Sequence, residues 1–199
     1  MFRSYILHPD GATFLKTVSL VPCYMIIGSK LAPCYAILMD PLFPIASLSA
    51  ANGMLGICPL PGRSGDYRED LETLLQWSPD MVLTMTTQHE MDSFGATHLG
   101  RDLTQAGIQW HHLPIRDFGA PSDKIVAAWT DISNTAQQIL TQGGKVLAHC
   151  KGGCGRSGMM LLRMLCETGE DPATALKRLR ASRPCAVETD AQYKWASQS

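Results

Sequence analysis

The segment that decides the fold reads Val146-Leu147-Ala148-His149-Cys150-Lys151-Gly152-Gly153-Cys154-Gly155-Arg156-Ser157-Gly158. An apolar stretch precedes its glycines and a mostly apolar run follows at 158–167, which predicts a strand, a tight loop and a helix. Backbone N–H groups of such a loop converge on an anion, and the N-terminus of the helix adds its positive end. We therefore predict a phosphate-binding loop formed by Lys151, Gly152, Gly153, Cys154, Gly155 and Arg156.

Three side chains of this segment have the chemistry of a phosphate-transferring site. Cys150 stands at the strand end, where the helix N-terminus and nearby cations favour a thiolate that can attack phosphorus. Arg156 can hold two phosphate oxygens with its planar guanidinium. Ser157 can donate a hydrogen bond to the sulfur, and His149 is expected to orient the loop. The alternative is a buried cysteine beside a glycine-rich turn.

The reaction also needs an acid for the leaving oxygen, and Asp117 is the candidate. It begins the turn-rich stretch 117–122, which follows a predicted strand at 108–115. Sites in parallel sheets lie beyond the carboxyl ends of the strands, so Asp117 can lie near Cys150 and act first as acid, then as base. The alternative is an ordinary turn aspartate. Asp102 and Asp123 are poorer candidates because they fall in helix-like positions.

Outward from the loop, strands and helices alternate along most of the chain. The predicted strands are 54–58, 81–85, 108–115 and 146–148. The predicted helices are 66–77, one or two within 91–107, 125–141, 158–167, 172–182 and 188–196. Alternation of this kind indicates an α/β fold with a central, mostly parallel sheet of about four to five strands flanked by helices.

Residues 1–50 differ from the remainder because they contain few charges, several prolines and no clean periodicity. We predict an N-terminal extension at 1–50, outside the core, and a catalytic domain at 51–199. The uncharged run 41–62 is long enough to cross a bilayer. Its prolines argue against a spanning helix, so no membrane association is expected.

Composition narrows the function further. The net charge of −1 argues against nucleic acid as the partner. Seven irregularly spaced cysteines do not resemble the disulfide framework of a secreted protein, and a cytoplasmic location is expected. His149, Cys150 and Cys154 could belong to a metal site, but structural zinc requires four ligands. We expect neither a metal nor a cofactor.

The sequence from His149 to Gly158 resembles the signature of the protein-tyrosine and dual-specificity phosphatases. The stretches 55–62, 112–121 and 183–192 resemble the cyclin-dependent-kinase-associated phosphatase branch of that family. The resemblance implies a nucleophile at Cys150, a phosphate-binding Arg156 and a general acid at Asp117. It also implies that Gln192 helps to position the hydrolytic water, although an exposed helix residue is an equally good interpretation.

The expected function is phosphomonoester hydrolysis on phosphotyrosine and/or phosphoserine/threonine, with a phosphorylated protein or peptide as partner and a monomeric enzyme. A phosphate-binding pseudophosphatase is one alternative, and intact Cys150, Arg156 and Asp117 argue against it. A non-protein phosphate, such as a phosphoinositide or an RNA 5′-phosphate, is another. Arsenate reductases and rhodanese-like sulfurtransferases also use a cysteine loop, but without this full sequence context.

Cys154 departs from the family pattern because it occupies a loop position where a small or apolar residue would serve. Oxidation could join it to Cys150, since a curled loop brings residues near the Cα separation that a disulfide requires. Cys58 is a competing partner for Cys150 because it ends the first predicted strand. Alternatively, Cys154 packs simply as a small apolar residue.

Overall fold

The computed structural model describes residues 5–7, 13–15, 18–27, 30–39 and 43–198. It divides the chain into two compact units, Met1–Leu42 and Phe43–Ser199. In the first unit, β1 (Tyr5–Leu7) pairs antiparallel with β2 (Thr13–Leu15). Likewise β3 (Val18–Ile27) pairs antiparallel with β4 (Lys30–Met39). Both long strands come from nearly continuous uncharged runs, which lack the polar–apolar alternation by which a strand is recognised.

The second unit is built on a five-stranded sheet. Its strands are β5 (Ala46–Ala50), β6 (Gly53–Cys58), β7 (Met81–Thr84), β8 (Gln109–His112) and β9 (Lys145–His149), in the order β5-β6-β9-β7-β8. All neighbours are parallel except β5 and β6, which form an antiparallel hairpin. This arrangement confirms the predicted α/β fold with a mostly parallel sheet.

The helices of this unit follow the strands in alternation. They are α1 (Tyr67–Trp77), α2 (Gln88–Ser93), α3 (Leu99–Gln105), α4 (Asp123–Thr141), α5 (Gly155–Glu167), α6 (Pro172–Ser182) and α7 (Asp190–Ala196). Start signals in the sequence set several of these bounds. Asp66 caps α1 by accepting from the N–H groups of Arg68 and Glu69, and Pro172 opens α6 behind its cap Asp171.

Both faces of the sheet are buried, as expected for parallel strands covered by helices. Successive residues of β9 show this, because side chains alternate between the two faces of a strand. Val146 and Ala148 pack in one apolar cluster with Trp129 of α4 and Leu162 of α5. Leu147, between them, packs in a second cluster that includes Leu74 of α1. The central position of β9 places its carboxyl end in the middle of the sheet edge.

The predicted domain boundary at residue 50 differs from the division seen here, between Leu42 and Phe43. Ala46–Ala50 is a strand of the sheet, paired from Ala46↔Ile57 to Ala50↔Gly53. The stretch was hard to recognise because it contains only small residues around one large apolar side chain, Leu48. Among the described residues, no helix combines the length and the apolar character needed to span a bilayer.

Candidate active site

The glycine-rich loop lies between the end of β9 and the start of α5, as the sequence predicts. Its backbone is held against the end of β6, where the Leu60 N–H donates to the Lys151 carbonyl at 3.4 Å. Gly153 has φ +63°, and a Cβ there would overlap the backbone carbonyl of Cys58. Only glycine allows this close approach without strain, so the loop is tightly curled.

Cys150 lies within the curl and is only 3% exposed. Its sulfur accepts a hydrogen bond from the Cys154 N–H at 3.4 Å. The hydroxyl oxygen of Ser157 lies 3.3 Å from the same sulfur. Two donors therefore converge on the sulfur beside the N-terminus of α5, an arrangement that suits a thiolate.

Arg156 is buried, and three groups fix its guanidinium. Its Nη1 and Nη2 atoms donate to both carboxylate oxygens of Glu90, at 2.9 and 2.8 Å. Nη1 also donates to the Ile115 carbonyl at 2.9 Å, and Nη2 lies 3.0 Å from an oxygen of Asp117. Burial alone would lower the pKa of Arg156, but the hydrogen bonds to Glu90 and the charges of Cys150, Glu90 and Asp117 outweigh burial and raise this pKa. The guanidinium is thus charged and oriented.

Glu90 is in turn fixed at the start of α2. It belongs to a capping box, in which the Thr87 N–H donates to Glu90 Oε2 at 2.8 Å. Burial alone would raise the pKa of Glu90, but hydrogen bonds from Arg156 and Thr87 outweigh it and lower this pKa to about 2. Glu90 is therefore an ionised, two-point support for Arg156.

His149 is fully buried at the end of β9, directly before Cys150. One ring nitrogen, Nε2, lies 2.8 Å from the Thr84 hydroxyl, which also accepts from the Trp110 indole N–H. Burial, together with the charges of His112 and Arg156, lowers the pKa of His149 to about 3. A neutral, anchored imidazole suits the predicted role of orienting the loop.

The described residues form a cleft of about 420 Å³ above Cys150. It is lined by Arg63, Asp117, Phe118, Cys150, Lys151, Gly152, Cys154, Arg183 and Glu188. A wider depression of about 750 Å³ lies near Asp80, Ile108 and Gly144, at the amino ends of β7, β8 and β9. We assign the site to the smaller cleft because it lies at the carboxyl ends of the strands, where sites of such sheets occur.

Comparison with known proteins supports the same interpretation. A family model described as "Polymorphic toxin system, DSP-PTPase phosphatase" matches residues 56–170, more than half of the chain. The chain belongs to the dual-specificity protein-tyrosine phosphatase family. It is accordingly a phosphatase, and the expected enzyme class is confirmed.

Relatives of this phosphatase include the cyclin-dependent kinase inhibitor 3 of Sus scrofa, 34% identical over 150 residues, 71% of this chain and 69% of that protein. The Homo sapiens counterpart is 33% identical over 161 residues, covering 75% and 74%. Among solved structures, kinase associated phosphatase with serine replacing its catalytic-site cysteine superposes with a TM-score of 0.68, at 28% identity. That match covers 77% of this chain and 92% of the other.

The loop at residues 117–122, which the sequence predicts to carry the acid and which we call the acid loop, begins at Asp117 beside Arg156. The Asp117 side chain is 47% exposed. The Thr189 hydroxyl donates to the Phe118 carbonyl at 3.3 Å, and the Gln192 amide donates to the Gly119 carbonyl at 3.2 Å. The amide oxygen of Gln192 accepts the Glu188 N–H at 2.9 Å. Gln192 thus ties the acid loop to the segment before α7, and its role toward water stays a prediction.

The remaining predicted loop residues also line or shape the cleft. Lys151 lies at the mouth, with its ammonium 6.0 Å from the centre of the Phe94 ring. The carbonyls of Gly152 and Gly153 accept from the Arg183 guanidinium, each at 2.8 Å. The Gly155 N–H donates to Glu188 at 2.8 Å. Across the residues that the structure describes, no group of three or more His, Cys, Asp or Glu could hold a metal ion.

The interpretation of Cys154 as a small apolar residue without a covalent partner was wrong. It forms a disulfide with Cys185, with Cα atoms 5.1 Å apart, and a bridge to Cys150 under oxidation stays untested. The loop curls so that the Cys154 N–H faces Cys150, while its sulfur meets the segment after α6. Cys58 is a free, buried thiol whose pKa is raised by burial and by Cys150. A bridge between Cys58 and Cys150 stays untested.

Sequence reasoning missed Glu90, Arg183 and Glu188. The signature Thr87-Gln88-His89-Glu90 marks a helix start, but nothing local to it indicates an arginine partner. Arg183 and Glu188 lie in the stretch that resembles the family, and that resemblance was the only signal for them. Their contacts with the loop are made by tertiary packing.

We expect Glu90→Gln to lower kcat/KM for a phosphomonoester roughly 10- to 100-fold. The amide NH2 group replaces one of the two carboxylate oxygens that accept from Arg156, so the guanidinium shifts.

The Glu90–Arg156 ion pair stabilises the fold fully above the ordinary carboxyl pKa of 4.5, and this stabilisation is lost as pH falls toward 2. The difference in unfolding free energy between wild type and variant should narrow across that range. Glu167→Gln, at the Arg163 ion pair, is the control, and equal kcat/KM in all three proteins would contradict the role.

Proposed function

We propose that this phosphatase hydrolyses phosphomonoesters on proteins through a cysteinyl-phosphate intermediate at Cys150. The observation that supports the proposal is the grouping of three side chains at one cleft, since Cys150 and Asp117 line it and Arg156 lies beside Asp117. The nucleophile sulfur lies in the loop, Arg156 is charged and oriented, and Asp117 lies 3.0 Å from Arg156 at the cleft wall. Such a set performs nucleophilic attack, charge stabilisation and proton transfer together.

In the first step, the Cys150 thiolate attacks phosphorus and the ester P–O bond breaks. Loop N–H groups and Arg156 stabilise the charge that spreads over the equatorial oxygens. Asp117 lines the cleft and lies 3.0 Å from Arg156 Nη2. An entering phosphate oxygen replaces the Asp117 carboxyl beside the guanidinium, and that carboxyl, in its protonated form, gives its proton to the leaving oxygen.

In the second step, water attacks the phosphorus of cysteinyl phosphate. Asp117, now a carboxylate, takes a proton from that water. The P–S bond breaks, and the Ser157 hydroxyl, 3.3 Å from the sulfur, stabilises the departing thiolate. Gln192 acts on this step by holding the acid loop through Gly119, and we retain its predicted action on the water as part of the proposal.

The substrate we propose is a phosphorylated protein or peptide carrying phosphotyrosine, phosphoserine or phosphothreonine. Support comes from the kinase associated phosphatase, whose structure matches 77% of this chain. The cleft mouth presents the cations Arg63, Lys151 and Arg183 beside the loop, which suits an anionic phosphopeptide.

A substrate panel tests the function directly. Phosphotyrosine, phosphoserine and phosphothreonine peptides, phosphoinositides and p-nitrophenyl phosphate are compared by release of inorganic phosphate. The proposal predicts that the phosphopeptides have the highest kcat/KM. Preference for a phosphoinositide would overturn the protein substrate, whereas phosphate binding without turnover of any substrate would indicate a pseudophosphatase.

Asp117→Asn should slow substrates with poor leaving groups most, by roughly 10²–10⁴-fold, since that is what a positioned acid contributes. Phenyl phosphate needs its leaving oxygen protonated, whereas p-nitrophenolate leaves with less help. The hydrolysis of p-nitrophenyl phosphate should therefore slow much less. The measurement is the ratio of kcat/KM values for the two substrates. Asp123→Asn, in the first turn of α4, is the matched control. An equal loss on both substrates would place the acid elsewhere.

A further inference from the structure

One short segment, residues 183–188, holds four consecutive residues of the phosphate loop. The Arg183 guanidinium donates to the carbonyls of Gly152 and Gly153. Cys185 is joined to Cys154. The Glu188 carboxylate accepts the Gly155 N–H. We call this segment the clasp, and its only covalent link to the loop is the disulfide.

The clasp continues directly into contacts with the acid loop. The residue after it, Thr189, donates to the Phe118 carbonyl, and the Glu188 N–H donates to Gln192, which reaches Gly119. The position of the clasp therefore sets the distance between the phosphate loop and the loop that carries Asp117. A shift of the clasp should therefore change both phosphate binding and proton transfer by Asp117.

We propose that Cys185 is a positioning residue, whose disulfide with Cys154 holds the phosphate loop in its anion-binding shape, and that reduction of this disulfide weakens catalysis. The inference rests on the proposed function for its kinetic consequence. Oxidation of the Cys150 thiolate would remove the nucleophile, whereas oxidation of Cys154 and Cys185 to their disulfide would favour activity. The most active form of the protein would then have a reduced Cys150 together with a disulfide between Cys154 and Cys185.

The disulfide lies where a reductant can reach it. Cys185 is exposed and Cys154 is half-buried at the cleft. A dithiol, such as dithiothreitol or a protein dithiol of the thioredoxin class, supplies two electrons and two protons. The S–S bond breaks, Cys154 and Cys185 become thiols, and the dithiol closes to its own disulfide.

The expected effect follows from where Cys154 lies. It immediately precedes α5, between the nucleophile and Arg156, and its N–H donates to the Cys150 sulfur. Once the link is broken, Arg183 and Glu188 still hold the loop, so the loop loosens rather than opens. A displacement of a fraction of an ångström in a preorganised site costs about tenfold in binding or rate.

The binding experiment uses the full chain carrying Cys150→Ser, because this variant removes the nucleophile as a competing redox group. Tungstate, a phosphate-like oxyanion, is titrated by calorimetry after treatment with glutathione disulfide and again after dithiothreitol. Peptide mapping verifies the state of both thiols. We expect about tenfold weaker tungstate binding in the reduced protein, as for a loosened preorganised site. Adding Cys185→Ser should give the weaker affinity in both conditions, whereas adding Cys166→Ala should preserve the difference.

The kinetic experiment compares wild type with Cys185→Ser on p-nitrophenyl phosphate. Dithiothreitol rescues an oxidised Cys150 equally in both proteins, so the difference between their responses isolates the clasp disulfide. We expect a raised KM and a lowered kcat/KM in reduced wild type, whereas a purely structural disulfide would change only the melting temperature.

Two results would overturn the inference. One is mapping that finds no Cys154–Cys185 link after oxidation, and the other is equal tungstate affinity before and after reduction. If no phosphomonoester is hydrolysed under any condition, the proposed function fails instead, and the tungstate comparison still decides the role of the clasp in anion binding.

Discussion

Cys150→Ser is expected to reduce turnover of a phosphomonoester by roughly 10⁴-fold or more, a loss typical of removing a catalytic nucleophile. A serine hydroxyl in the loop stays protonated and attacks phosphorus poorly. Neither hydrogen-bond partner recorded for the sulfur, the Ser157 hydroxyl or the Cys154 N–H, is a base that could activate a serine hydroxyl. The variant should retain its melting temperature and its affinity for tungstate, because the loop backbone is unchanged.

Cys166→Ala is the matched control for this prediction. Cys166 is another buried free thiol, in α5 and away from the cleft. Its replacement should leave kcat near the wild-type value. Hydrolysis by Cys150→Ser within tenfold of wild type would exclude a covalent cysteine mechanism.

Arg156→Lys is expected to lower kcat about 10³-fold, the upper range for loss of one oriented donor to a transition-state oxyanion. Lysine offers a point charge where the guanidinium offers a planar fork. It also leaves part of the Glu90 carboxylate without its two-point partner, because Arg156 donates to both of its oxygens. We therefore expect weaker tungstate binding together with a lower melting temperature.

Loss of stability must be separated from loss of function in this variant. Arg178→Lys is the control, because Arg178 forms an ion pair with Glu170 away from the cleft. Assays at a temperature where Arg156→Lys is fully folded then report the site alone. Tungstate affinity and kcat equal to those of Arg178→Lys would contradict the role given to Arg156.

The phosphate loop and its fold could be predicted because their determinants are local. A strand, three glycines and an apolar helix follow each other within a short stretch, and such a pattern specifies its own backbone. Asp117 could be proposed because parallel strands end at one edge of the sheet, so a loop that follows one strand lies near a loop that follows another.

Pairings between distant residues could not be predicted in this way. Glu90 lies 66 residues before Arg156, and its local sequence serves equally well as an ordinary helix cap. Cys154 and Cys185 are 31 residues apart, and the sequence gives no means of choosing among the partners of a cysteine. The Ala46–Ala50 strand was missed because a short edge strand of small residues has little apolar periodicity to recognise.

Trapping the intermediate tests the central claim, covalent catalysis by Cys150, most directly. Asp117→Asn is mixed with excess p-nitrophenyl phosphate, whose leaving group departs without much help, and the reaction is quenched in acid within the first turnover. Because the base for the second step is missing, cysteinyl phosphate should accumulate, and peptide mapping should find one phosphoryl group on the peptide that contains Cys150. A burst of p-nitrophenol with no phosphoryl group on that peptide, or with the group on another residue, would contradict the mechanism.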